Sequence, residues 1–176
     1  MDKDKHPSAA ECMELLDRYR TPPHVQRHCI AVANVAVAVA CSLNENGFEL
    51  SLPLIRAAGL LHDIARVQEE HWNRGADFAL QLGFCEEANI IRGHMFHSFP
   101  REFEALSEVD MVCLGGRLVK EDEFVGLDVR MDYILSKAAY SNRNVQQIIR
   151  EEMERTRCII RQIELLVGTS LTEIVT

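Results

Sequence analysis

The stretch Leu52-Pro53-Leu54-Ile55-Arg56-Ala57-Ala58-Gly59-Leu60-Leu61-His62-Asp63-Ile64-Ala65-Arg66 decides the fold class. Ser51 ahead of it is a favourable helix N-cap. The apolar residues that follow leave almost no polar face, so the segment reads as a helix buried on most sides. It closes on His62-Asp63. Burying an imidazole and an ionised carboxylate against Ala-Ala-Gly-Leu-Leu is costly unless each is paired or bound to a metal. A capping role would account for Asp63 alone but not for the pair. More histidines flank the stretch. His24 and His28 are four residues apart and share one helix face. His71 and His94 stand at the edges of later predicted helices. A lone histidine of this kind is more often a polar residue at a core edge than a ligand; the His-Asp pair shifts the balance toward a metal site in a helical core.

Outward from that stretch, helical signals continue. Ser8-Ala-Ala-Glu11 is a capping box that opens a helix to about Arg20. Thr21-Pro22 reads as an N-cap followed by proline at the first helical position, starting a helix to about Leu43 that Asn44-Glu-Asn-Gly47 stops. Further helices are expected from His71 to Leu82, with Gly83 as the stop, and from Cys85 to Gly93. A polar loop, His94-Met-Phe-His97-Ser-Phe-Pro100, follows. Ser107 opens a sixth helix through Asp110 to about Lys120, Asp128 caps a seventh, and an amphipathic eighth runs from about Asn142 to Leu166. No segment alternates with period two, so no sheet is expected. The reading is an all-α bundle of seven to eight helices in one domain, residues 1–176, with a core of about 20–125 and a C-terminal helical extension of about 128–166. That extension is also a candidate homodimer surface.

Composition narrows the function classes. With 27 acidic against 19 basic residues, the net charge is −8, which argues against general nucleic-acid binding by a basic surface. A phosphate ligand needs only local positive charge and stays open. The six cysteines, Cys12, Cys29, Cys41, Cys85, Cys113 and Cys158, form no CxxC pair and read as free thiols of a reducing cytoplasm. The opening Met-Asp-Lys-Asp-Lys-His has no apolar run behind it, so no signal peptide is expected. The most apolar run, Cys29 to Cys41, is shorter than the ~20 residues a bilayer requires and reads as a buried central helix, with no membrane partner.

At this point the chain resembles the HD-domain metal-dependent phosphohydrolases. The motifs that carry the likeness are Ala57-Ala-Gly-Leu-Leu-His62-Asp63-Ile-Ala65 and His71 followed by Gly75-Ala-Asp-Phe-Ala-Leu-Gln-Leu-Gly-Phe84. His28, His62, Asp63, His71 and His94 match the family pattern in order, and the likeness covers about residues 20–125. The resemblance implies an all-α fold and hydrolysis of phosphate esters or anhydrides, often in nucleotides. It implies one or two divalent ions (Mn, Fe, Mg, Zn, Co or Ni), the first held by His28, His62 and Asp63, the second by Asp63, His71 and His94. Asp63 and Arg66 are then the catalytic candidates, with Arg66, His97, Arg117 and Lys120 as candidate substrate contacts.

One position departs from the family. Its last ligand is an aspartate in a helix reading Val-x-Leu-Ala-Asp-Lys-Leu-Val; here the sequence is Val112-Cys-Leu-Gly-Gly116-Arg-Leu-Val119, with Gly116 in the aspartate's place. Adjacent glycines inside a helix cost roughly 1 kcal/mol each relative to alanine. Asp110 is a fallback ligand, but it lies six residues earlier, on a different helix face and some ~9 Å back along the axis. Two classes are therefore carried forward. One is a metal-dependent phosphohydrolase acting on a nucleotide or other small phosphorylated metabolite. The other is a catalytically weakened HD protein that binds such a ligand as a sensor. Histidines must be neutral to ligate, so metal affinity is expected to fall as pH drops toward about 6.5.

Overall fold

A computed structural model describes residues 6–138 and 143–176. Among the described residues the regular structure is almost wholly helical: α1 (Ala9–Arg18), α2 (Pro23–Glu45), α3 (Leu52–Leu61), α4 (His71–Gln81), α5 (Cys85–Gly93), α6 (Glu108–Leu118), α7 (Leu127–Lys137), α8 (Arg143–Val167) and α9 (Leu171–Val175). The all-α bundle is thus observed. The expected start of the long helix at Asn142 lies outside the described residues.

α2 is the axis of the fold and packs chiefly against α3 and α6. By length and composition it would pass as a membrane span. In the fold, its stripe from Val25 to Leu43 is buried by neighbouring helices. Two glycines allow the close approach. A Cβ on Gly59 of α3 would meet Ala33 Cα at 2.9 Å, and one on Gly115 of α6 would meet the Val32 carbonyl at 2.7 Å. The Gly115-Gly116 pair therefore divides into two different residues. Gly115 is required by packing, whereas a Cβ on Gly116 meets nothing within 4 Å. Gly115→Ala is expected to cost about 1–3 kcal/mol through overpacking. Gly116→Ala is expected to add up to ~1 kcal/mol through helix propensity. Thermal melts of the two variants check the contrast.

Two apolar clusters fill the interior. One joins α2, α3 and α6 to the C-terminal helices through Leu127, Met131, Ile159, Ile163 and Leu171. The other packs α1, α4 and α5 around Ala57, Leu60, Leu61, Ile64 and Ala65. α3 contributes to both, with Leu54, Ile55 and Ala58 on one side and Ala57, Leu60 and Leu61 on the other. Its C-terminal end, and with it His62-Asp63, is held from both sides.

Several local expectations are corrected. Val119–Lys120 and Glu123–Phe124 pair as a two-stranded antiparallel hairpin, labelled β1 and β2, where no sheet was expected. α6 accordingly stops at Leu118. Strands this short leave no alternation to read. The N-cap of α2 is Pro22, with Pro23 first in the helix; Thr21 instead donates its hydroxyl to the Ile64 carbonyl at 2.7 Å. α7 is capped by Gly126, whose φ is +76°. Asp128 sits in the first turn and pairs with Arg157 at 2.6 Å. α9, opened by a Ser170–Glu173 capping box, was not expected. The capping box at Ser8 and the Ser51 cap are present, and Ser107 opens α6 with a capping box to Asp110 that the sequence reading does not include.

Candidate metal centre

Five side chains from four parts of the chain converge. His28 comes from α2. His62 is the C-cap of α3, and Asp63 stands in the turn after it. His71 is the first residue of α4 and His94 the C-cap of α5. Thr21's bond to the Ile64 carbonyl steadies the turn that carries Asp63. Asp63 lies at the centre, only 4% exposed. Its Oδ2 is 3.9 Å from His28 Nε2 and 3.6 Å from His62 Nε2. Its Oδ1 is 3.2 Å from His71 Nε2 and 3.6 Å from His94 Nε2. The carboxylate thus faces two pairs of imidazoles, one pair on each oxygen, and each trio has its donor atoms within 4.8 Å of one another.

The proton positions follow from the outer partners. His28 Nδ1 lies 2.6 Å from the Glu121 carbonyl, His62 Nδ1 2.7 Å from the Gly59 carbonyl, and His94 Nδ1 2.7 Å from the Ile91 carbonyl. A carbonyl only accepts, so each Nδ1 carries the proton and each neutral ring turns an Nε2 lone pair inward. Arg66 Nη1 stands 3.3 Å from His71 Nε2, and a guanidinium only donates, so that nitrogen also accepts. Four acceptor nitrogens therefore face an acceptor carboxylate. Asp63 Oδ1 is buried without a hydrogen-bond partner. Such an arrangement is repulsive unless cations stand between the groups. Backbone carbonyls holding Nδ1–H are the outer partners that metal-binding histidines ordinarily have. The donor set, imidazole nitrogens with one carboxylate, suits first-row transition ions.

Burial decides the charge state of two of the rings. Burial lowers His28 and drives His62 down to about 3, so both rings are neutral at physiological pH. Burial alone would raise Asp63; its polar neighbours, with the Arg66 guanidinium the one fixed cation among them, outweigh it and hold Asp63 well below the usual carboxylate range. Cys113, whose Sγ approaches the His94 carbonyl at 3.6 Å, is pushed up to about 12 by burial and stays a protonated thiol. All six cysteines are free.

A cleft of about 410 Å³ opens onto His28 and Asp63. Arg66, its guanidinium 3.5 Å from Asp63 Oδ1, lines it. The turn between β1 and β2 forms one rim, where Arg27 pairs with Asp122 at 2.9 Å. Glu121 in that turn adopts φ +57°, which presents its carbonyl to His28. α7 supplies the facing wall with Arg130 and Tyr133.

Other candidates lie elsewhere. Asp110 accepts from the Ser107 amide and hydroxyl as the acid of the α6 capping box, and its other oxygen is 2.6 Å from His97 Nε2. It is bound into α6's start rather than the His-Asp cluster. His97 is therefore engaged with Asp110. Arg117 donates to Thr156 Oγ1 and the His97 carbonyl, pairs with Glu152 at 3.3 Å and lies over Phe99, which ties α8 to the bundle. Neither His97 nor Arg117 lines the cleft. Lys120 stands over the Tyr133 ring, with its Nζ 5.0 Å from the centroid. Arg130 and Tyr133 were not anticipated, because no motif marks α7.

The HD domain pattern matches residues 25–121, more than half of the chain. The chain belongs to the HD domain family. A further relative is an uncharacterized protein of Methanocaldococcus jannaschii, 38% identical over 71 residues, which cover 39% of this chain and 42% of the relative. The aligned stretch thus spans less than half the length of that curated relative. No solved structure matches the chain significantly. HD domains typically bind divalent metals, and the buried Asp63 Oδ1, without a hydrogen bond and ringed by inward-facing nitrogens, fits that cofactor.

Proposed function

We propose that this HD protein is a metal-dependent phosphohydrolase acting on a nucleotide or other small phosphorylated metabolite. The observation that carries the reading is the inward set of His28, His62, His71 and His94 around a buried Asp63 whose Oδ1 lacks a hydrogen bond, beside a cleft lined by arginine. His28, His62 and Asp63 would hold one ion and Asp63, His71 and His94 a second, drawn from Mn, Fe, Mg, Zn, Co or Ni. Bound divalent ions supply Lewis acidity that activates water near neutral pH and offsets phosphoryl charge. The chain's own groups do the remainder. The Glu121, Gly59 and Ile91 carbonyls fix the ring orientations of His28, His62 and His94. Arg66 offers its guanidinium to the phosphoryl oxygens at the cleft's inner end. The buried surroundings of Asp63 strengthen every charge interaction made there.

The second reading is a binding module that senses a phosphorylated ligand without cleaving it. Gly116, in place of the family's final aspartate, favours it. One assay separates the two. Mono-, di- and dinucleoside phosphates and sugar phosphates are incubated with each common divalent metal, and phosphate release is followed beside the melting temperature. Metal-stimulated release is expected. A ligand-induced rise in melting temperature with no product throughout the panel would transfer the assignment to the sensor.

A further inference from the structure

Arg130 lies on α7, beyond the residues 25–121 matched by the family pattern, yet it shares the cleft with His28, Asp63 and Arg66. Its Nε donates to the Gly116 carbonyl at 3.1 Å. That contact fixes the guanidinium beside the residue that stands where the family places its last carboxylate. Gly116 leaves the adjoining space open, since a Cβ there would meet no atom within 4 Å. Arg130 makes no ion pair among the described residues; its guanidinium also lies over the Tyr133 ring, 5.7 Å from the centroid. Besides Asp63, two acids line the cleft. Asp122 is paired with Arg27, and Glu121 gives its main-chain carbonyl to His28 while the residue itself is exposed. A guanidinium anchored by one nitrogen, partly withdrawn from water and lacking a carboxylate partner, presents its remaining N–H fork to an anion.

We infer that Arg130 and Arg66 form a two-arginine clamp for a phosphoryl group. Arg130 thereby serves as a positioning and specificity residue that α7 adds to the HD centre. This rests on the reading of the cleft as a site for phosphorylated ligands. The chain lacks a negative charge at position 116 and carries a positive one beside it, so the site is biased toward a highly charged terminal phosphate over a neutral or singly charged ester. Arginine is the residue type for this task because its planar fork meets two phosphate oxygens at once.

The probe is inorganic phosphate, titrated calorimetrically into the full chain with its purified metal content, which mass spectrometry records in parallel. Arg130→Gln is expected to weaken phosphate by about tenfold or more, with metal content and melting temperature unchanged. Arg130→Lys, which keeps the charge but loses the fork, should fall between. Lys137→Gln, which removes a cation from the other side of Tyr133, should leave phosphate affinity near wild type. Gly116→Asp, for which there is room, should weaken phosphate by engaging Arg130. Equal affinity in wild type and Arg130→Gln would overturn the inference. So would loss of metal in that variant, which would reduce Arg130 to a prop for α7, or failure of the wild type to bind phosphate. Arg130-dependent phosphate binding without turnover on any substrate would sink the hydrolase reading and leave the clamp standing. Turnover with an unchanged KM in Arg130→Gln would do the reverse.

Discussion

Asp63→Asn is expected to remove bound metal and lower any turnover by about three orders of magnitude or more, while leaving the metal-free chain folded. The two halves of this result have one origin. Asp63 is the single acid of the cluster, and each of its oxygens faces two imidazole nitrogens that present lone pairs. Without metal this is a buried charge ringed by acceptors, its Oδ1 lacking a hydrogen bond and the Arg66 guanidinium at 3.5 Å its one fixed counter-charge. An asparagine of the same shape removes the charge and supplies an N–H₂ that can donate to a facing Nε2. A truncation such as Asp63→Ala would confuse the outcome by leaving a cavity. Metal adds to the difference, because ligation stabilises the folded state increasingly as metal concentration rises above its Kd. Wild type should therefore gain melting temperature on adding Mn or Zn after chelation, and Asp63→Asn should not. A variant that retained metal would show that the imidazoles alone hold it. A metal-free variant several degrees less stable than wild type would show that the carboxylate is a structural group.

How much of this was legible in the sequence follows from which interactions are local. His62-Asp63 could be read because the cost of burying the pair is written beside it, in Ala57 to Leu61. The helices around it could be read for the same reason, as caps and periodic apolar runs lie within a few residues of one another. Ser107 and Asp110 also formed a local signal. An acid three residues after a serine N-cap binds the start of its own helix, and that is where Asp110 is held. Arg117 was beyond reach, since its partners Glu152 and Thr156 lie 35 and 39 residues away. Arg130 was unreadable in the same way, because its place in the cleft depends on α7 folding back against the end of α6. The two glycines looked alike in sequence. Only the distance to the Val32 carbonyl distinguishes Gly115, which has no room for a side chain, from Gly116, which has.

The metal-free protein should lose stability on acidification well before its carboxylates titrate. Burial lowers His62 to about 3 in the folded chain, against an unfolded value near 6.5. Between those values the unfolded chain binds a proton that the folded chain refuses, so stability falls as pH drops below about 6.5. The slope approaches ~1.4 kcal/mol per pH unit for one such group, or about 2 kcal/mol lost at pH 5 relative to neutral pH. His28, also lowered by burial, acts in the same direction. Asp63, held below its ordinary value, contributes stability above about 3.8 that is lost as pH falls further. Denaturant titrations of chelated protein at pH 7, 6 and 5 should show the decline, and His62→Leu should remove about one proton's worth of slope. The same shifts alter the expected pH range of metal binding. Rings already kept neutral by burial compete little with protons near 6.5, so ligation through His28 and His62 should persist below the range anticipated for ordinary histidines. Metal affinity that collapses between pH 7 and 6 would place those rings in a wetter setting than the fold gives them.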